Sequence, residues 1–121
     1  MAKVLFATIR ARPDTGLAIS FLMTRTQAPD TEDWSKLGHV MCYIRGMRDL
    51  LLVLGASNKG VLSWLIDASH TVHPKMQGHT GGGLMMGRGF PISHSSKQKL
   101  NTQSLTTAEL VAVDQVLPLI L

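Results

Sequence analysis

The stretch that decides the fold is WLIDASHTVHPKMQGHTGGGLMMGRGFPISHSSKQKLNTQSLTTAELVAV, residues 64–113. The apolar run at 61–67 predicts a β-strand, and a polar loop is expected from its end to Gly78. Two further strands are predicted at 79–88 and 90–98, joined by glycine-rich residues into a hairpin. The sequence therefore predicts neighbouring strands ahead of its last helix.

The last helix is expected to begin at Thr106. The residues Thr106-Thr107-Ala108-Glu109 match a capping box, in which the first side chain caps the helix and the glutamate reaches back to its amide. Apolar residues follow at helical spacing and predict one face packed on the sheet. Pro118 is expected to kink or end this helix.

The N-terminal part of the chain has a helical pattern instead. One helix is predicted to begin near Pro13, and a stronger one at 30–46, with an aspartate as its cap. The single cysteine, Cys42, lies in the apolar pattern of that helix and is predicted to be buried. The apolar run at 50–54 predicts a short strand, and 55–60 predicts a turn.

These patterns predict an α/β fold with two parts. Residues 1–48 form a helical part that includes a helical pair, and residues 49–121 form a three- or four-stranded mixed sheet with one packed helix. The strand at 61–67 is expected to keep an unpaired edge, through which two copies of the chain can associate.

Composition limits the function classes. The formal net charge is +4 with a pI near 9.6, which permits a polyanionic partner. One cysteine excludes a disulfide framework and fits an intracellular location, and no apolar run reaches the length of about 20 residues that a membrane helix needs. No acidic residue lies between Asp67 and Glu109, whereas four basic residues do: Lys75, Arg88, Lys97 and Lys99. A solvated basic face and a nucleic-acid surface both explain this distribution.

Asp67 and Glu109 are the first candidates for chemistry. A carboxylate at the end of a strand and one in the first turn of a packed helix can converge and hold a hard cation such as Mg²⁺, which activates water against phosphodiesters. Spacing alone equally allows a strand-ending turn at Asp67 and a capping role for Glu109.

Other groups of residues give weaker evidence for a chemical function. His70, His73, His79 and His94 lack the spacing and the cysteines of a zinc site and are interpreted as loop histidines. The glycines of 78–89 lack a phosphate-loop ending and are interpreted as permitting a twisted hairpin, with close approach of a nucleic-acid backbone as the alternative. The chain has no Gly-x-Ser-x-Gly elbow.

Two collinear stretches resemble copia-type retrotransposon polyproteins. Residues 11–56, ARPDTGLAISFLMTRTQAPDTEDWSKLGHVMCYIRGMRDLLLVLGA, resemble the segment that follows the polymerase palm. Residues 64–113 resemble the start of the ribonuclease H domain, with its "DA" strand end, "HTGG" strand, "SSKQK" strand and "T.AEL" helix. The resemblance implies a partial ribonuclease H-like fold.

The resemblance also implies roles for individual residues. Asp67 corresponds to the first metal-binding aspartate of that domain and Glu109 to the glutamate on its first helix, so both would be catalytic and Mg²⁺-binding. Lys97, Lys99 and Thr106 would lie near an RNA–DNA hybrid and contact its backbone without sequence choice.

Departures from the family pattern argue against nuclease activity by this chain alone. A glutamate that is common two residues before Glu109 is replaced by Thr107, and two further metal carboxylates of the family lie beyond Leu121. The paired aspartates of the polymerase lie upstream of residue 1. The expected function is therefore that of a reverse transcriptase and ribonuclease H fragment, inactive alone, and the alternative is a non-catalytic module that binds nucleic acid or protein.

Overall fold

The computed structural model describes residues 1–56 and 61–121 of the chain. These residues divide into two compact units, Met1–Leu52 and Val53–Leu121. The first unit is helical, and the second combines strands with one long helix. The α/β class predicted from the sequence is thereby confirmed.

Three α-helices form the first unit: α1 (Ala2–Arg10), α2 (Gly16–Met23) and α3 (Thr31–Gly46). Helix α3 begins as predicted, because the Asp30 carboxylate accepts the Asp33 amide at 2.7 Å and the Asp33 carboxylate accepts the Asp30 amide at 3.1 Å. Ile19 and Leu22 of α2 are buried. The prediction of a buried Cys42 is wrong, because α3 leaves most of its apolar residues, Cys42 among them, outside the core.

In the described part of the second unit, five β-strands form two small sheets: β1 (Gly55–Ala56), β2 (Ser63–His73), β3 (Gln77–Met85), β4 (Gly87–Arg88) and β5 (Ile92–Lys97). The larger sheet has the order β2-β3-β5, and β1 pairs with β4. Every pairing is antiparallel, so the predicted mixed sheet is wrong for the described strands. The connections between β2, β3 and β5 are short, whereas a parallel pair needs a crossover of a dozen residues or more.

Helix α4 (Leu105–Ile120) covers one face of the sheet. Ala108 and Ala112 of the helix form a buried cluster with Ala68 of β2, and Ile66 packs against it. Alanines at a spacing of four residues place their small side chains on one stripe of the helix, so the helix backbone approaches the strand closely. Since successive strand residues face opposite sides, Asp67 lies on the side of β2 that α4 does not cover.

The start and end of α4 differ from the sequence-based expectation. Ser104 caps the helix, and its hydroxyl accepts the Thr107 amide at 3.2 Å, so the capping box predicted for Thr106 and Glu109 is wrong. The N-cap lies two residues earlier than predicted, because the serine hydroxyl accepts a hydrogen bond from a first-turn amide that has no partner within the helix. Helix α4 also continues through Pro118 to Ile120, so of the kink or end predicted at Pro118 the end is wrong.

Two strand predictions need correction. Residues 68–78 were expected to form a loop, but β2 continues to His73 and only the short helical turn Pro74–Met76 separates it from β3. The polar residues of this segment pair with the "HTGG" strand, and that pairing outweighs their composition. The run at 50–54 is not a strand. Of the turn predicted at 55–60, residues 57–60 lie outside the described residues.

Glycines allow close packing around the β3–β5 connection. A Cβ on Gly83 would lie 2.4 Å from the Phe90 ring, and one on Gly89, which has a φ of +72°, would lie 2.4 Å from the Val53 carbonyl oxygen. The two strands predicted at 79–88 and 90–98 are confirmed in pairing, but Gly87 and Arg88 form β4 instead of a tight hairpin turn. In the described parts of the chain, no helix has the length and apolarity to cross a membrane.

Candidate nucleic-acid interface

Asp67 and Glu109 occupy different surroundings. Asp67 lies inside β2, not at its end, and is exposed on the face away from α4; its Oδ1 accepts the Ala68 amide at 2.9 Å. Glu109 is exposed on α4 next to the buried Ala108. Asp67 therefore lies on the face of β2 opposite the one against which α4, the helix that carries Glu109, packs.

The donor set offers little to a divalent cation. Mg²⁺ requires an octahedral shell and is usually held by carboxylates together with substrate oxygens. Across residues 1–56 and 61–121, no three histidine, cysteine, aspartate or glutamate side chains lie close enough together to hold a metal. The Mg²⁺ site that the resemblance implies at Asp67 and Glu109 therefore stays a prediction.

Three lysines gather at one end of the larger sheet, which we call the basic end: Lys75, Lys97 and Lys99. Lys75 lies in the turn between β2 and β3, and Lys97 pairs with His79 near the start of β3. The Gln77 side-chain amide donates to the Lys99 carbonyl oxygen at 3.4 Å, which holds Lys99 beside the same turn. Lys97 and Lys99 are exposed, so their ammonium groups are available to a polyanion.

The start of α4 is held next to the basic end by the buried Gln98. Its side-chain amide donates to the Ala108 carbonyl oxygen at 2.8 Å and to the Thr80 hydroxyl at 3.2 Å, while its backbone amide donates to the Gly78 carbonyl oxygen at 2.9 Å. These bonds tie the end of β5 to both β3 and the first turns of α4. Thr106 is exposed in the first turn of α4, where helix amides favour negative charge.

The interpretation of four histidines as loop residues is wrong, because all four lie in strands: His70, His73, His79 and His94. His79 is buried, and burial together with the neighbouring imidazoles lowers its pKa to about 4. Burial and the charge of Lys97 lower the pKa of His73, and burial lowers that of His94. At neutral pH these three histidines are uncharged, so the positive charge of the basic end comes from its lysines.

In comparisons with known proteins, no family model, no curated protein and no solved structure matches the chain.

Lys75 belongs to the basic stretch noted in the sequence, and the structure places it at the same end of the sheet as Lys97 and Lys99. Its place beside Lys97 and Lys99 depends on the extension of β2 to His73, which was predicted as loop. The signal for that extension was present in Thr71, Val72 and His73, a β-forming run that ends at Pro74. Arg88, the other basic residue of the stretch, lies in β4 away from this end.

Proposed function

We propose that this chain is a segment of a copia-type retrotransposon polyprotein, from the end of the reverse transcriptase into the ribonuclease H-like domain, and that it contributes weak binding to an RNA–DNA hybrid. The observation that carries the proposal is the element order. Three antiparallel strands, β2, β3 and β5, precede a helix that packs back on the first of them. The resemblance implies the same order, with Asp67 on the first strand and Glu109 on the helix.

Binding is assigned to the basic end and the start of α4. Lys75, Lys97 and Lys99 offer ammonium groups to phosphates, and Thr106 offers a hydroxyl at a helix N-terminus. Such contacts give affinity without sequence preference, since they reach the backbone and not the base edges. Three phosphate contacts correspond to a slope of log affinity against log salt of about −2 to −3.

Hydrolysis of the hybrid is not expected from this chain alone. Phosphodiester cleavage by paired metal ions needs several carboxylates that clamp both the attacking and the leaving oxygen. Asp67 and Glu109 are the two that the resemblance assigns, and they lie on different sides of β2. The chain is therefore proposed as a hybrid-binding part of a nuclease, and Mg²⁺ as a cofactor that it does not hold properly by itself.

A salt titration of hybrid binding tests this function. Affinity for a fluorescent RNA–DNA hybrid is measured by anisotropy between about 20 and 200 mM salt for the wild type and for Lys97→Glu with Lys99→Glu. The double variant should bind more weakly at every salt concentration and should flatten the slope by about 2. The matched control is Arg45→Glu with Arg48→Glu on the helical unit, which makes the same charge change outside the sheet unit. If both variants weakened binding equally, the binding would depend on the net charge of the chain and would not be located at the basic end.

The open edge of β2 favours a second function, association with another protein chain. In the described part of the chain β2 pairs with β3 alone, and Leu65 is exposed on it. An apolar strand with an unpaired edge is a template for a further strand. We propose a second copy of this chain as the partner, which would make self-association depend on β2.

A further inference from the structure

A chain of hydrogen-bonded side chains lies on the sheet face opposite α4. The His73 and His79 rings stack with centroids 5.2 Å apart, and His73 Nε2 lies 2.9 Å from His79 Nδ1. His79 Nε2 in turn lies 2.8 Å from the Ser95 hydroxyl on β5. The relative exposure of the two histidines is 4% and 2%, so the packing of the strands fixes the orientation of both rings.

We propose that Ser95 is an activated nucleophile for acyl esters, with His79 as its general base and His73 as the residue that positions His79. The order of contacts is that of a nucleophile, a base within hydrogen-bond reach, and a third group that orients the base. The hybrid does not enter this proposal, and Lys97 is the one residue of the basic end that it uses, so the proposal stands independently of hybrid binding.

The hydrogen-bond partners of His79 permit the tautomer that the proposal requires. If His79 carries its proton on Nδ1 and donates it to His73 Nε2, then His79 Nε2 is free to accept the Ser95 proton. Burial keeps His79 neutral at pH 7, because its pKa is lowered to about 4. The imidazole is therefore in its basic form, although a pKa this low makes it a weak base.

Space for a substrate exists beside the hydroxyl. Ser95 pairs with Gly81 across β3 and β5, so the two residues face the same side of the sheet. Among the described residues other than Gly81 and its two chain neighbours, no heavy atom lies within 4 Å of the position that a Cβ on Gly81 would occupy. An ester carbonyl can therefore approach Ser95 over Gly81. Lys97 lies two residues along β5 on the same face, where its charge favours a developing oxyanion.

The reaction balances without a cofactor. The Ser95 oxygen bonds to the ester carbonyl carbon as its proton moves to His79 Nε2, and the carbon–alkoxide bond then breaks while His79 returns the proton to the leaving alcohol. Water repeats the sequence on the acyl-serine and releases the acid. A fluorophosphonate follows the first half only: the serine oxygen bonds to phosphorus, the phosphorus–fluorine bond breaks, and fluoride leaves with the proton.

Labelling with a fluorophosphonate probe tests the proposal, with intact mass and peptide mapping as readouts. The wild type should be labelled at Ser95, and Ser95→Ala should not be labelled. The matched control is Ser96→Ala, because the Ser96 hydroxyl bonds His94 Nε2 at the same 2.8 Å but on the α4 side of the strand. That variant should be labelled as fast as the wild type. His79→Gln should slow labelling on the order of 100-fold.

A second measurement on the wild type covers the case in which His79→Gln does not fold. The ¹⁵N shift of His79 Nε2 at pH 7 should be that of an unprotonated, accepting nitrogen. A protonated Nε2 would show that His79 donates to Ser95, which would overturn the proposal. Absence of labelling, or equal labelling of Ser95 and other serines, would overturn it as well.

Discussion

Acid should destabilise the sheet unit through His79, and the size of the effect follows from its burial. The pKa of His79 is lowered from 6.5 to about 4 in the folded chain. The unfolded chain therefore binds the proton first as pH falls, so the stability is fully present above pH 6.5 and is lost as pH falls towards 4. One pKa unit corresponds to about 1.4 kcal/mol, so His79 alone removes about 2 kcal/mol between pH 7 and pH 5 and about 3 kcal/mol at the acid limit. A domain of this size has total stability of only about 5–15 kcal/mol, so the loss is large.

Urea unfolding followed by tryptophan fluorescence measures this effect. Trp64 lies in β2, and replacing the exposed Trp34 by phenylalanine leaves it as the only indole, so the signal reports the sheet unit. His79→Gln should be less stable at pH 7 and should lose about 2 kcal/mol less than the parent between pH 7 and pH 5. His39→Gln, a change at an exposed histidine of α3, should leave the pH dependence unaltered. A parent whose stability is the same at both pH values would refute the buried, neutral His79.

Three further predictions follow from the packing, the carboxylates and the open edge. Gly78→Ala should destabilise the sheet unit by about 1–3 kcal/mol in urea unfolding, because the new Cβ would lie 2.7 Å from the Ser69 carbonyl oxygen. The control Gly81→Ala meets open space and should cost less than about 1 kcal/mol. Similar losses of stability in the two variants would contradict the packing at Gly78. Millimolar Mg²⁺ should leave the melting temperature unchanged and support no hybrid cleavage, and saturable stabilisation or cleavage that disappears in Asp67→Asn would show a metal centre after all. Sedimentation should show self-association that Leu65→Lys weakens, and a monomer at all concentrations would exclude association through β2.

The sequence predicted the elements better than their ends. Apolar periodicity located α3 and α4, and the "HTGG" and "SSKQK" stretches paired as β3 and β5. The extension of β2 to His73 was missed because the short β-forming run before Pro74 follows polar residues, and these residues are held in the strand by pairing with β3. The missed extension also changed the site: it placed Asp67 inside a strand and brought Lys75 to the basic end.

The burial of individual side chains also could not be predicted from the sequence. The sequence shows four histidines among polar residues, which is typical of a loop, but the strand register stacks His73 on His79 and joins the pair to Ser95. Cys42 shows the opposite error, since an apolar helical pattern on α3 does not bury it. Both errors arise because burial depends on which residues face one another across elements distant in sequence.

The most direct test of the proposed function is to map the hybrid on the chain by NMR. Amide chemical shifts of the ¹⁵N-labelled protein are followed as an RNA–DNA hybrid is added at low salt. Changes should concentrate at Lys75, Lys97, Lys99 and the first turn of α4 and should disappear as salt is raised. Changes centred on the helical unit Met1–Leu52 would contradict the account, and so would the absence of changes at hybrid concentrations near 1 mM, roughly ten times the weakest non-specific dissociation constants of about 0.1 mM.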